Sequence, residues 1–202
     1  MTELNQIYWN NRYLCNDFSW DIGDISLPLK TYFEQLTNKE LKILIPGAGN
    51  AHEAEFLFKN DFKNVFVLDF ANEPLQNFKR RLPDFPQEQI IKQDFFEHHG
   101  KYDLIIEQTF FCAINPKLRK LYVQQMQQLL KPNGKLVGLL FDDALNLEKP
   151  PFGGNLVEYT ALFSTSFSIK KMERSNNSIQ PRENRELFFI CENSEQSNIE
   201  PK

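Results

Sequence analysis

The sequence predicts an α/β fold, a mostly parallel sheet with helices on both faces. Short apolar runs of strand length alternate with stretches of helical periodicity. The strand-like runs end on residues able to hold a ligand, namely Gly47, Asp69, Asp94 and Glu107-Gln108. In such sheets ligands lie beyond the carboxyl ends of the strands, where the order of strands reverses. A length of 202 residues fits one domain with its own core, and 41% hydrophobic and 25% charged residues are ordinary for a globular chain.

In order, LKILIPG (41–47) reads as a buried strand, followed by a helix through about Phe58. NVFVLDF (64–70) is the next strand, and Asn72-Glu73-Pro74 opens a helix with a cap, an acidic first turn and an early proline. EQIIKQD (88–94) is a weaker third strand and YDLIIEQ (102–108) a fourth. Asn115-Pro116 starts a helix whose core face carries Leu118, Leu121, Tyr122, Met126, Leu129 and Leu130. Lys131-Pro132-Asn133-Gly134 stops it before the strand KLVGLLF (135–141). An insertion, EKPPFGGN (148–155), precedes a short helix near 156–163. FSIKKMERS (167–175) and RELFFICEN (185–193) close the sheet. The division expected is an N-terminal aromatic lid over 1–24, the main domain over 25–193 and a polar tail over 194–202.

Charge and composition exclude several classes. A net charge of −4 and pI near 5.5 leave no nucleic-acid footprint, since Lys79-Arg80-Arg81 reads as the solvated end of a helix. The sequence offers no apolar stretch of membrane-spanning length, and MTELNQIYWNN lacks the character of a secretion signal. Cys15, Cys112 and Cys191 are scattered, as in a reducing compartment, so a cytoplasmic location is expected. No metal is expected, because His52, His98 and His99 have no partner at ligand spacing. Nor does the sequence display a His/Asp or Cys/His pair at catalytic spacing. Most of the 19 phenylalanines are read as core.

Gly47-Ala48-Gly49-Asn50-Ala51-His52 is the informative stretch. A dinucleotide loop wants a third glycine where His52 stands, which disfavours a pyrophosphate. Asp69 ends the next strand about 20 residues on, where a carboxylate accepts both ribose hydroxyls. Asp94-Phe95-Phe96 suits the edge and face of an adenine. Acids at two successive strand ends, without a basic group for phosphate, suit a positively charged nucleoside, S-adenosylmethionine. The alternative is that Asp69 and Asp94 cap the helices after them.

Across residues 7 to 191 the chain resembles a Rossmann-like class I S-adenosylmethionine-dependent methyltransferase. More closely it resembles the thiopurine S-methyltransferase superfamily, on its thiol and halide methyltransferase branch. The resemblance rests on Trp9-Asn-Asn-Arg-Tyr13, Trp20-Asp21-Ile22-Gly23, YDLIIEQTFFCAINPKLRKLY, LLKPNGKL, Pro181-Arg182 and Arg185-Glu186-Leu187. It implies a mostly parallel seven-stranded sheet and methyl transfer to a small soft nucleophile: a thiol, hydrosulfide, halide or thiopurine. It puts Trp9, Tyr13, Trp20, Gly47, Gly49, Asp69, Asp94, Phe95 and Gln108 around the cofactor. It puts Arg119 on the acceptor side, where it would steer an anion or favour thiolate over thiol. A positive charge at a helix start asks for a local partner, read as Glu107, the alternative being a surface arginine. Tyr13 stands where the branch has tryptophan, Gln108 where it often has tyrosine, and Phe152 about where a pocket tyrosine is expected. A non-catalytic protein that binds the same nucleoside, and a nicotinamide-dependent oxidoreductase, stay open as alternatives.

Overall fold

The computed structural model describes residues 3–194. Its strands are β1 Ile43–Pro46, β2 Val65–Asp69, β3 Ile90–Lys92, β4 Tyr102–Gln108, β5 Leu130–Phe141, β6 Ser168–Arg174 and β7 Glu186–Glu192. Its helices are α1 Gln6–Leu14, α2 Leu27–Phe33, α3 His52–Lys59, α4 Asn72–Arg81, α5 Arg119–Leu129 and α6 Leu156–Phe163. All seven strands join one sheet in the order β3-β2-β1-β4-β5-β7-β6. Strands β1 to β5 run parallel, and β7 pairs antiparallel with both β5 and β6. The strand order reverses between β1 and β4, so a crevice opens at their carboxyl ends.

Side chains of a strand alternate between faces, and the two halves of the core obey that alternation. Leu44, Leu68, Ile105, Leu136 and Phe189 pack on one side with Tyr122, Val123 and Met126 of α5 and Phe163 of α6. Ile43, Ile45, Val67, Ile106 and Val137 pack on the other with Leu29 and Phe33 of α2, Leu57 of α3 and Phe78 of α4. Strands sandwiched this way must be apolar throughout, which is why β1 is buried at every position.

Several boundaries differ from the sequence reading. β3 is only three residues long, preceded by a 3-10 turn at Gln87–Gln89. Asn72 is the first helical residue of α4 rather than its cap; Ala71 holds the cap position without a side-chain bond. Leu121 lies 52% exposed and Val123 takes the core place read for it. The turn expected at 131–134 falls within the span of β5, where Asn133 has φ +59° and donates to the carbonyl of Asn193 at 2.8 Å. The tail beyond Ser194 lies outside the described residues.

Candidate active site

A cavity of about 820 Å³ occupies the crevice at the carboxyl ends of the central strands. Its floor begins where β1 ends: Gly47 and Gly49 have φ of +57° and +53°, a conformation that glycine adopts without strain. Close approach is required there too. A Cβ on Gly49 would sit 2.5 Å from the hydroxyl oxygen of Tyr13, and one on Gly47 would run into the Phe110 ring. Ala51, at φ +56°, turns the chain into α3, so His52 becomes the first residue of that helix.

Asp69 ends β2 beneath this loop and is 7% exposed. Its Oδ2 accepts from the N–H of Gly49 at 2.9 Å and its Oδ1 from that of Ala71 at 2.8 Å. Each oxygen keeps a further lone pair, enough for the two hydroxyls of a ribose. Burial pushes its carboxyl up to about 6, against those backbone bonds. After β3, Asp94 caps a 3-10 turn by accepting from Phe96 N at 2.8 Å, and Phe95 and Phe96 stand beside it in the lining. Asp94 therefore does cap the turn after it, and lines the cavity as well.

The roof is aromatic. Trp9 on α1 meets Trp20 edge-on with ring centres 5.5 Å apart, and Tyr13 meets Trp20 at 5.8 Å. Arg12 lies 4.8 Å over the Trp20 ring. Hydrogen bonds along its length tie the segment down. Gln6 donates to Phe70 O at 2.6 Å, Asn10 accepts from Glu73 N at 2.9 Å, and Trp20 O accepts from Arg182 at 2.5 Å. No part of residues 3–24 joins the sheet.

Trp9, Tyr13, Trp20, Gly47, Gly49, Asp69, Asp94, Phe95 and Gln108 all line this one cavity. The Oε1 of Gln108, at the end of β4, is buried without a hydrogen-bond partner in the protein. Such an acceptor costs free energy unless a ligand supplies the donor.

Arg119 is a correction. It is absent from the cavity lining and is 6% exposed. Its guanidinium pairs with Glu158 at 2.7 Å and donates to Gly153 O at 2.8 Å, pinning the 153–158 segment. Glu107 is not its partner. That carboxylate accepts from Phe110 N at 2.8 Å, from Phe111 N at 2.9 Å and from the Tyr122 hydroxyl, and burial pushes it up to about 7. Phe152 is buried outside the cavity lining, and the 148–155 insertion contributes nothing to that lining. Burial also pushes the Cys112 thiol up to about 12, which makes it inert at neutral pH.

Sequence reasoning missed one arrangement outright. Asp21, directly after Trp20, accepts from His52 Nε2 at 2.8 Å across 31 residues, so a His/Asp pair does exist and lines the cavity. Asn50 Nδ2 reaches the other oxygen at 2.5 Å, and the N–H of Gly23 adds a bond of 2.7 Å. Burial pushes the Asp21 carboxyl upward, but these donors outweigh it and hold it down at about 2. The signal was a histidine in the place of the third glycine, which spacing arguments discarded for want of a near neighbour.

A family model described as thiopurine S-methyltransferase matches residues 4–197. The chain belongs to the thiopurine S-methyltransferase family. As a member it is an S-adenosylmethionine-dependent methyltransferase. Curated relatives include the probable thiol methyltransferase 2 of Arabidopsis thaliana, 28% identical over 79% of this chain and 72% of that one. Thiocyanate methyltransferase 1 of the same plant is 26% identical over 83% and 76%. A thiopurine S-methyltransferase of Vibrio atlanticus is 24% identical over 79% and 82%. Among solved structures, 1,6-didemethyltoxoflavin-N1-methyltransferase of Burkholderia thailandensis superposes with a TM-score of 0.78 at 13% identity, covering 95% of this chain and 88% of that one. Magnesium protoporphyrin IX methyltransferase of Synechocystis PCC 6803 gives 0.73 at 12%, covering 94% and 95%. These two likenesses concern the fold. The family assignment excludes the nicotinamide reading that the two glycines left open.

Proposed function

We propose that this family member methylates a small sulfur nucleophile, a thiol or hydrosulfide, with a halide as a weaker substrate, and that it works in the cytoplasm. The observation that carries the reading is the single cavity joining a ribose-ready Asp69, an acid-and-aromatic pair at Asp94-Phe95 and an aromatic roof. The names of the relatives, thiol and thiocyanate methyltransferases among them, favour sulfur.

When bound, S-adenosylmethionine supplies an electrophilic methyl carbon on a sulfonium. The residues present fit it. Asp69 would accept the ribose hydroxyls, Asp94 and Phe95 would take the adenine, and the Gly47–Gly49 backbone would leave room for the amino-acid tail. The rings of Trp9, Tyr13 and Trp20 would attract a sulfonium held against their faces at about 0.5–2 kcal/mol per contact. The same rings exclude water, which strengthens a soft nucleophile by desolvating it. Holding that nucleophile about 3 Å from the methyl carbon, in line with the bond that breaks, makes the step effectively unimolecular. Residues 1–24 are proposed to act as a lid on the domain of 25–193.

The test is an acceptor panel. Purified protein with methyl donor is offered thiols, hydrosulfide and halides beside hydroxyl and amine analogues, and methylated products are measured. Sulfur products in excess support the reading. Cofactor binding without turnover on any acceptor would leave a binding protein in its place.

A further inference from the structure

Neither the cofactor contacts nor the lid uses the chemistry of the Asp21–His52 pair, and that chemistry matches a need of thiol methylation. We propose that His52 is the base that takes the proton from an incoming thiol, with Asp21 holding its ring. This rests on the sulfur-transfer reading of the site.

The tautomer is set by the bonding. An ionised carboxylate only accepts hydrogen bonds, so the Nε2 that Asp21 contacts at 2.8 Å must carry the hydrogen. The lone pair of a neutral His52 is then on Nδ1, which makes no hydrogen bond among the described residues. Asp21 is itself fixed by Asn50 and Gly23, which holds its carboxylate in place against the ring. Carboxylate-oriented imidazoles with one free nitrogen are the usual form of a general base.

The cavity makes a base necessary for a thiol. Its lining carries the acids Glu3, Asp21, Asp24, Glu53, Asp69 and Asp94, with Lys92 as the lysine. Acidic neighbours and burial both disfavour a thiolate, so a thiol enters with its proton. Among the described residues no arginine is in that lining, and the buried ones are engaged elsewhere: Arg119 with Glu158, Arg182 with Glu186. The charged groups facing His52 are Asp21 from the loop after α1 and Glu53 beside it on α3, while Arg81 of α4 pairs with Glu55 of α3 and donates to the Asn50 carbonyl.

The step balances. The thiol proton passes to Nδ1 of His52, directly or through one water. The sulfur lone pair forms the new S–C bond as the methyl carbon leaves the sulfonium, whose bonding pair stays behind on a neutral thioether. The proton goes to bulk water after product release.

The experiment compares single turnover at saturating cofactor for an alkyl thiol and for thiocyanate, which has no proton to lose. His52→Gln is expected to slow the thiol at least about a hundredfold more than thiocyanate, within the roughly 10²–10⁴ span of general-base effects. With S-adenosylhomocysteine in place of the donor, the ultraviolet absorbance of bound thiolate should appear in the native protein and vanish in His52→Gln. Independently of any variant, pH profiles for thiols of differing acidity should share one enzyme-borne apparent pKa. Equal losses on both acceptors, or profiles that track each thiol's own acidity, would overturn the proposal and leave the pair as a latch for the lid. Native protein that binds cofactor yet methylates neither acceptor overturns the function reading and this proposal with it.

Discussion

Asp69 accepts one backbone N–H on each oxygen and has one lone pair left on each, so its replacement should be felt by the ribose. Asp69→Ala is expected to weaken cofactor binding by about 1.5–3 kcal/mol, the scale for hydrogen bonds to charged groups. Calorimetry with equal affinity in the variant would contradict the assignment. Burial raises this carboxyl to about 6 in the free protein, and the proposed ribose contact uses its ionised form. Affinity should therefore be flat above that pH and fall about tenfold per unit below it. Asp69 and the two glycines were legible because the cues were local: a strand end, a turn and a spacing of some 20 residues. Arg119 and His52 were not, because their partners Glu158 and Asp21 lie 39 and 31 residues away and only the fold brings them together. A residue type at a helix start says that a partner is needed; it does not say which one.

At the scale of elements, α1 and the loop after it form a cover rather than part of the sheet. The cover is held by aromatic edges and a handful of side-chain hydrogen bonds to the body, so it should open at lower free energy than the core strands. Hydrogen exchange is expected to show protection in residues 3–24 rising when cofactor is added, with β1 and β4 unchanged. Equal protection in both states would make the segment permanent packing. Strand and helix identities were readable from periodicity, yet their ends were not. β3 shrank because it pairs on one side only, at the edge of the sheet, where neighbours impose less regularity. Leu121 reads as core on a helical wheel, but α5 packs through Tyr122, Val123 and Met126, leaving it outside.

For the whole molecule, the sheet order places β1 and β4 side by side at the centre, and the cavity opens at the carboxyl ends of β1 to β4. Alternating strands and helices made the parallel part legible; the antiparallel insertion of β7 between β5 and β6 was not, since pairing partners leave no local mark. Stability carries a signature of this arrangement. Glu107 is fully buried under the crevice, with its carboxyl raised from an ordinary 4.5 to about 7. The folded state then holds the proton longer than the unfolded chain, so this residue's contribution is present below about 4.5 and lost as pH rises through 7. Glu107→Gln should gain stability relative to the native protein between about pH 5 and pH 8 in urea melts. A difference that is the same at both pH values would contradict the titration. At the centre of all this stands the transfer of a methyl group to sulfur in the crevice. The most direct test gives the protein isotopically labelled S-adenosylmethionine and an equimolar mixture of a thiol and its hydroxyl and amine analogues, with products read by mass spectrometry. Label is predicted on sulfur almost exclusively; label on oxygen or nitrogen in equal or greater amount would contradict sulfur transfer.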